Sequence, residues 1–174
     1  MSIDLEVFPT RPHVMTWGAI QTTMQELADP ALCALVGKAP MLVELATRTV
    51  MLPAVALTLN SCYILELAVP NTLGLQVVPN AGNVDVTAYL EDYGRNLPPA
   101  SLRQLVDQWE AVGYYYGFTS LAGRSKHESR LLVLLVTSVA SLCHGYVIVM
   151  NDDILNVGVG VYPPEQFQHV TPRF

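Results

Sequence analysis

Charge is scarce in this chain. Only 14% of its residues are Asp, Glu, Lys or Arg, against about 25% in an average soluble domain. Nine are Lys or Arg, scattered along the chain, and the net charge is −6. Phosphate contacts need clustered cations, so nucleic-acid binding is disfavoured. Cysteine is also scarce: Cys33, Cys62 and Cys143 are odd in number, widely spaced and without a C-x-x-C pair. Neither a disulfide framework nor a zinc knuckle fits that pattern. Each lies in an apolar segment, which predicts three buried thiols. The phosphate-cradling patterns G-x-x-x-x-G-K-[ST] and G-x-G-x-x-G are missing, so no nucleotide fingerprint is present. No apolar run reaches the roughly 20 residues that a bilayer span requires. The start, M-S-I-D-L-E-V-F-P, alternates acids with apolar residues and lacks the basic-then-apolar order of a signal peptide; the expected compartment is the cytoplasm.

What the chain has is apolar residues, 51% of 174. That length predicts a single domain over 1–174, with about 70% of the unfolded surface buried. The stretch most informative about fold runs from Gly123 to Met150. Ser125 and Glu128 have the spacing of a capping box, in which hydroxyl and carboxylate each satisfy the other residue's backbone N–H. Leu131 to Cys143 is apolar at nearly every position, as in a helix buried on most sides. Thr137, Ser138 and Ser141 interrupt it, with hydroxyls able to bond back one turn. Gly145 is the expected terminator, and Tyr146–Met150 the interior strand behind it.

Elsewhere, Leu5 and Val7 alternate with Asp4 and Glu6, predicting a half-exposed strand. Thr16 is placed to cap a helix from Trp17 to Ala28, with a short helical turn over Ala31–Val36 after Asp29-Pro30. Residues 42–45, 55–59, 63–69 and 73–78 read as an antiparallel run of strands between Pro and Asn turns. Helices over 85–93 and 102–112, a strand over 114–119, a β-leaning 154–161 and a last short helix after Pro163-Pro164 complete the pattern. The fold class is therefore α+β: a mostly antiparallel sheet packed with three to four helices, one of them a buried, Leu-rich central helix.

Candidate chemistry is thin. Ser125, His127, Glu128 and Ser129 share one helical turn, where successive side chains diverge by about 100° and cannot form a triad. The cations Arg124, Lys126 and Arg130 flank His127 and offer an anion or an acidic partner a contact; a solvated face is the plainer reading. Asn151-Asp152-Asp153 follows the interior strand but does not continue as a calcium loop; it reads as a turn. Cys143-His144 stands at a helix C-terminus, where the dipole disfavours a thiolate. No metal spacing involves His13 or His169. Tyr115 points opposite to Tyr114, Tyr116 and Phe118 on a strand, and an exposed Tyr is a good interface anchor. No catalytic residue, metal or cofactor is expected. The partner-contact candidates are Tyr115, the basic link with Arg124, Lys126, His127 and Arg130, and the acidic turn with Asp152 and Asp153.

The C-terminal half carries the order W-E-A-V-G-Y-Y-Y-G-F-T-S, a short Arg- and Ser-bearing link, an apolar helix, then G-Y-V-I-V-M-N-D-D and Y-P-P-E-Q-F. Over roughly residues 109–167 this resembles small bacterial α+β immunity proteins of secreted-toxin systems. The resemblance implies a non-enzymatic binder that neutralises a cognate toxin, with a protein partner and neither nucleic acid nor membrane. It carries over no functional residue. Two other readings compete with it. One is a small enzyme or anion-binding protein that uses the 123–130 helix start, with His127 meeting Asp152 or Glu66. The other is a homo-oligomeric structural subunit held by its apolar surface.

Overall fold

Leu5 and Val7 face one way and Glu6 and Phe8 the other, and helices cover both faces of the strand they form. The structure, a computed structural model, describes residues 5–36, 40–66, 73–79, 86–120, 126–151 and 155–171, with the backbone alone at Leu35, Val86, Ser120, Lys126 and His127. The strands are β1 (Leu5–Phe8), β2 (Met41–Glu44), β3 (Thr49–Val50), β4 (Cys62–Glu66), β5 (Leu73–Pro79), β6 (Tyr114–Ser120), β7 (Tyr146–Val149) and β8 (Gly160–Tyr162). They make one eight-stranded sheet in the order β3-β2-β4-β5-β6-β1-β7-β8, with every neighbouring pair antiparallel. Among the described residues six helices accompany it: α1 (Trp17–Leu27), α2 (Pro30–Val36), α3 (Val86–Tyr93), α4 (Pro99–Val112), α5 (Lys126–Leu142) and α6 (Pro164–Phe167). The α+β class stands. The helix number exceeds the predicted three to four because the short turns after Asp29 and Pro163 are helices in their own right.

Strand parity sorts the core into two layers. Leu5, Val7, Tyr63, Leu65, Leu75, Tyr116, Phe118, Val147 and Val149 face inward and pack with α1, α2, α5 and α6. Every α5 residue from Leu131 to Ala140 is buried, with the sheet on one side and α1, α2 and α6 around the rest. On the outer face, Phe8, Ile148 and Val161 pack with Leu90 of α3 and Leu105 and Trp109 of α4. These two helices therefore cover the β6-β1-β7-β8 half. Glu6, predicted to face solvent, is half-buried under α3, where its carboxylate accepts the Tyr89 hydroxyl at 2.6 Å.

The ends of the helices follow local chemistry. Thr16 Oγ1 accepts from the Ala19 N–H at 3.2 Å, as expected of an N-cap. Gly113 ends α4 at φ 78, a conformation open to glycine without strain. The stop after α5 differs from expectation. The left-handed residue is His144, at φ 50, while the Gly145 N–H reaches the Ala140 carbonyl at 2.8 Å and the His144 N–H the Ser141 carbonyl at 3.3 Å. That is a Schellman pattern with His144 in the left-handed position. Gly145 is small for another reason: a Cβ there would lie 2.6 Å from the Phe8 carbonyl oxygen.

Two further expectations are corrected. Residues 55–59 form no strand. They meet the start of α1 instead, through a bridge between Thr16 and Ala56 and a bond from the Leu57 N–H to the Met15 carbonyl. The three thiols are not all buried: Cys143 is buried, Cys62 intermediate and Cys33 exposed. Leu32 and Val36 point α2 inward, and Cys33 falls on the other side of that short helix. The capping box at Ser125 lies outside the described residues.

Candidate functional site

Two surfaces stand out: a cleft beside α5 and an open part of the sheet. The cleft begins with a short chain of local causes. α1 ends at Ala28, which is extended, and Pro30 opens α2. Asp29 between them caps α2: its Oδ1 accepts the N–H groups of Ala31 and Leu32, each at 3.0 Å. The carboxylate is thereby fixed, and its Oδ2 accepts from the Arg130 guanidinium, 101 residues away. The Arg130 and Asp29 side chains are 29% and 43% exposed, so solvent screens the pair and its direct stabilisation is about 1 kcal/mol or less. Its larger effect is positional, because it ties the α1–α2 corner to the first turns of α5.

Arg130, Val133, Leu134 and Thr137 are spaced 3, 1 and 3 along α5 and share one side of it. With Leu27, Leu32 and Val170 they line a cleft of about 460 Å³. The segment after α6 forms its remaining wall. Phe167 anchors that segment in the core, the Val170 N–H bonds the Phe167 carbonyl at 3.0 Å, and the Thr171 carbonyl accepts from Asn156 at 3.2 Å.

Thr137 is the unusual member of this lining. It is 1% exposed, yet its hydroxyl has no hydrogen-bond partner. The next residue shows the ordinary solution: Ser138 Oγ donates to the Leu134 carbonyl one turn earlier, at 2.7 Å. A buried hydroxyl without a partner costs about 1–3 kcal/mol.

The second surface is the outer face of β3, β2 and β4. Val50, Val43 and Ile64 stand directly opposite one another across the three strands, with Met41 and Leu45 on the same parity. Met41 is 45% exposed and Val50 47%; no described helix crosses them. Leu45 is exposed as well, whereas Val43 between them is buried; Leu52, Val55 and Leu59, also exposed, belong to the segment after β3 rather than to this face.

The sequence candidates are distributed unevenly over these features. Arg130 lies at the cleft. Lys126 and His127 begin α5, and only their backbone is described. Arg124, Asp152 and Asp153 lie outside the described residues. Tyr115 is half-buried and belongs to the outer aromatic cluster, its ring stacked on Phe8 at 5.4 Å and edge-on to Trp109 at 5.9 Å. Burial, and then the Glu6 charge, raise its hydroxyl pKa. Glu66 ends β4 with outward parity, so the sheet separates it from α5. Among the described residues no three His, Cys, Asp or Glu side chains form a group able to hold a metal, and no helix is long and apolar enough to cross a membrane.

Sequence reasoning missed the roles of Asp29 and Thr137. Asp29 was read only as a helix breaker, although Asp before Pro at a helix start is itself a signal for the capping it performs. Its ion pair had no local signal. Compared with models of known families, with curated proteins and with solved structures, the chain shows no match.

Proposed function

We propose that this chain is a non-enzymatic protein-binding module, of the immunity-protein kind, that docks a cognate toxin through the outer face of β3, β2 and β4. The observation that carries this is the exposure of Met41, Leu45 and Val50 around Val43 on that half of the sheet, whereas α3 and α4 cover the other half. A patch of this kind marks an interaction surface more often than a solvated one. Glu66 stands on the same face, and the chain's net charge of −6 favours a basic partner. In this reading α5 is the Leu-rich central scaffold, the partner is met in the cytoplasm, and the edge strand β3, only two residues long, limits self-pairing.

The test uses the purified products of the two reading frames that flank its gene, titrated by calorimetry. A one-to-one complex with Kd below about 100 nM supports the reading. The variant Leu45→Glu/Val50→Lys should weaken it at least about a hundredfold while keeping the wild-type circular dichroism and melting temperature. No complex with either product, or a complex indifferent to that variant, overturns it. Self-association of the isolated chain that the same variant abolishes also overturns it, in favour of a homo-oligomer.

A further inference from the structure

The cleft beside α5 lies on the inner side of the sheet, away from the docking face, and stands independently of it. We propose that it binds a small amphipathic carboxylate. The anionic head meets Arg130 at the mouth, the apolar body lies along Val133 and Leu134, and a hydrogen-bonding atom at the far end meets Thr137.

Size comes first. A cleft of about 460 Å³ falls in the size range of small-molecule sites, and its lining sets an apolar strip of Leu27, Leu32, Val133, Leu134 and Val170 against polar groups at Arg130, Thr137 and the segment after α6. The second observation is the Thr137 hydroxyl, buried in the cleft wall with no partner of its own. A ligand oxygen or nitrogen supplies what the fold withholds. The third is Arg130. Asp29 spends one oxygen on α2 and the other on the guanidinium, which holds that group in place. A guanidinium has five N–H donors, and one carboxylate oxygen does not exhaust them. It is also suited to a planar carboxylate, which it meets with two parallel bonds.

The spacing sets the ligand's length. Arg130 and Thr137 are two helical turns apart, about 10 Å along the axis. That distance suits an extended chain of roughly eight carbons, with Leu27, Leu32 and Val170 beside it. The lining also carries Asp29, Gln168, His169 and Thr171, and Arg130 is already paired with Asp29; a guanidinium so paired fits one further negative charge better than a doubly charged phosphate.

The experiment titrates the full chain with 8-hydroxyoctanoate, octanoate and 1-octanol, following amide shifts by NMR. The expected result is saturable binding of both acids, with shifts at Val133, Leu134, Thr137 and Val170. The alcohol should bind at least about tenfold more weakly than octanoate, and the hydroxy acid about fivefold more tightly. Thr137→Val should erase the advantage of the hydroxy acid and leave octanoate unchanged. Arg130→Gln should bring octanoate down to the level of the alcohol, and Arg130→Lys should keep a preference for the acid. The proposal is overturned by no saturable shift with either acid up to about 10 mM. It is also overturned by equal binding of octanoate and 1-octanol to the wild-type chain, a comparison that needs no variant to fold. Leu45→Glu/Val50→Lys should bind octanoate as the wild type does, which keeps failure here distinct from failure of the docking reading.

Discussion

Cys143 shows how burial sets chemistry at a single residue. Its side chain is fully buried, and desolvation pushes its pKa from the ordinary 9.0 up to about 12. The unfolded thiol ionises near 9, so between these values the folded chain holds a proton that the unfolded chain has lost. The contribution is fully present below pH 9 and is lost as pH rises toward 12. Above pH 9, the wild type should lose stability faster than Cys143→Ala by about 1 kcal/mol per pH unit. Urea denaturation at pH 8, 9, 9.5 and 10 checks this, and parallel curves for the two proteins would refute it. At pH 8, iodoacetamide should modify Cys33 first, then Cys62, with Cys143 protected until the chain unfolds. The sequence showed these thiols in apolar company and no more; exposure was set by which side of a seven-residue helix Cys33 occupies. Thr137 is the polar counterpart. Because its hydroxyl has no partner, replacing it with the isosteric Val should leave stability unchanged or raise it by about 1 kcal/mol. A loss of more than about 1 kcal/mol in chemical denaturation would show that the hydroxyl is satisfied in solution.

Element by element, the signals that act over three or four residues were legible in the sequence. Thr16 as a cap, Gly113 as a stop, the helices within 86–93 and 99–112, and the strands at 41–44, 62–66, 73–79, 114–120 and 146–149 all follow from local periodicity and turn chemistry. The failures occur where a neighbour distant in sequence overrides that logic. Residues 55–59 have strand-like composition but pair with the chain at Met15 and Thr16, and so never join the sheet. At the end of α5, Gly145 looked like the left-handed terminator, but contact with the end of β1 requires its lack of a Cβ, and His144 adopts the left-handed turn instead. These two neighbours therefore predict opposite responses. His144→Gly should stabilise the chain by about 0.5–1 kcal/mol by relieving the positive φ. Gly145→Ala should destabilise it by about 2 kcal/mol or more, because the new Cβ must displace backbone rather than a side chain. Melting temperatures of the two single variants check the pair, and equal or same-sign shifts would refute this assignment of roles.

At the scale of the whole molecule, the first strand in the chain lies inside the sheet. β1 sits between β6 and β7, pairing with residues more than 100 positions away, and no local pattern announces that insertion. The same distance hid the cleft, since Asp29 and Arg130 belong to opposite ends of the topology and meet only because α1 and α5 pack side by side. The two layers that result are unequal. The inner core has buried residues from α1, α2, α5, α6 and six of the eight strands, whereas the outer core has six buried residues centred on Phe8 and Trp109. Both contain an imperfect polar atom, but in the outer layer the unpartnered Trp109 Nε1 sits in the smaller cluster, with less apolar burial to offset it. Local opening free energies track such differences in buried apolar contact. The α3–α4 layer should therefore detach before the inner core unfolds. Native-state hydrogen exchange should give α4 amides opening free energies at least about 2 kcal/mol below those of β1 and the Leu131–Ala140 part of α5. Tyr89→Phe, which removes the 2.6 Å bond to Glu6 on β1, should widen that gap. Uniform protection across both layers, unmoved by Tyr89→Phe, would mean that the outer helices and the sheet unfold as one cooperative unit.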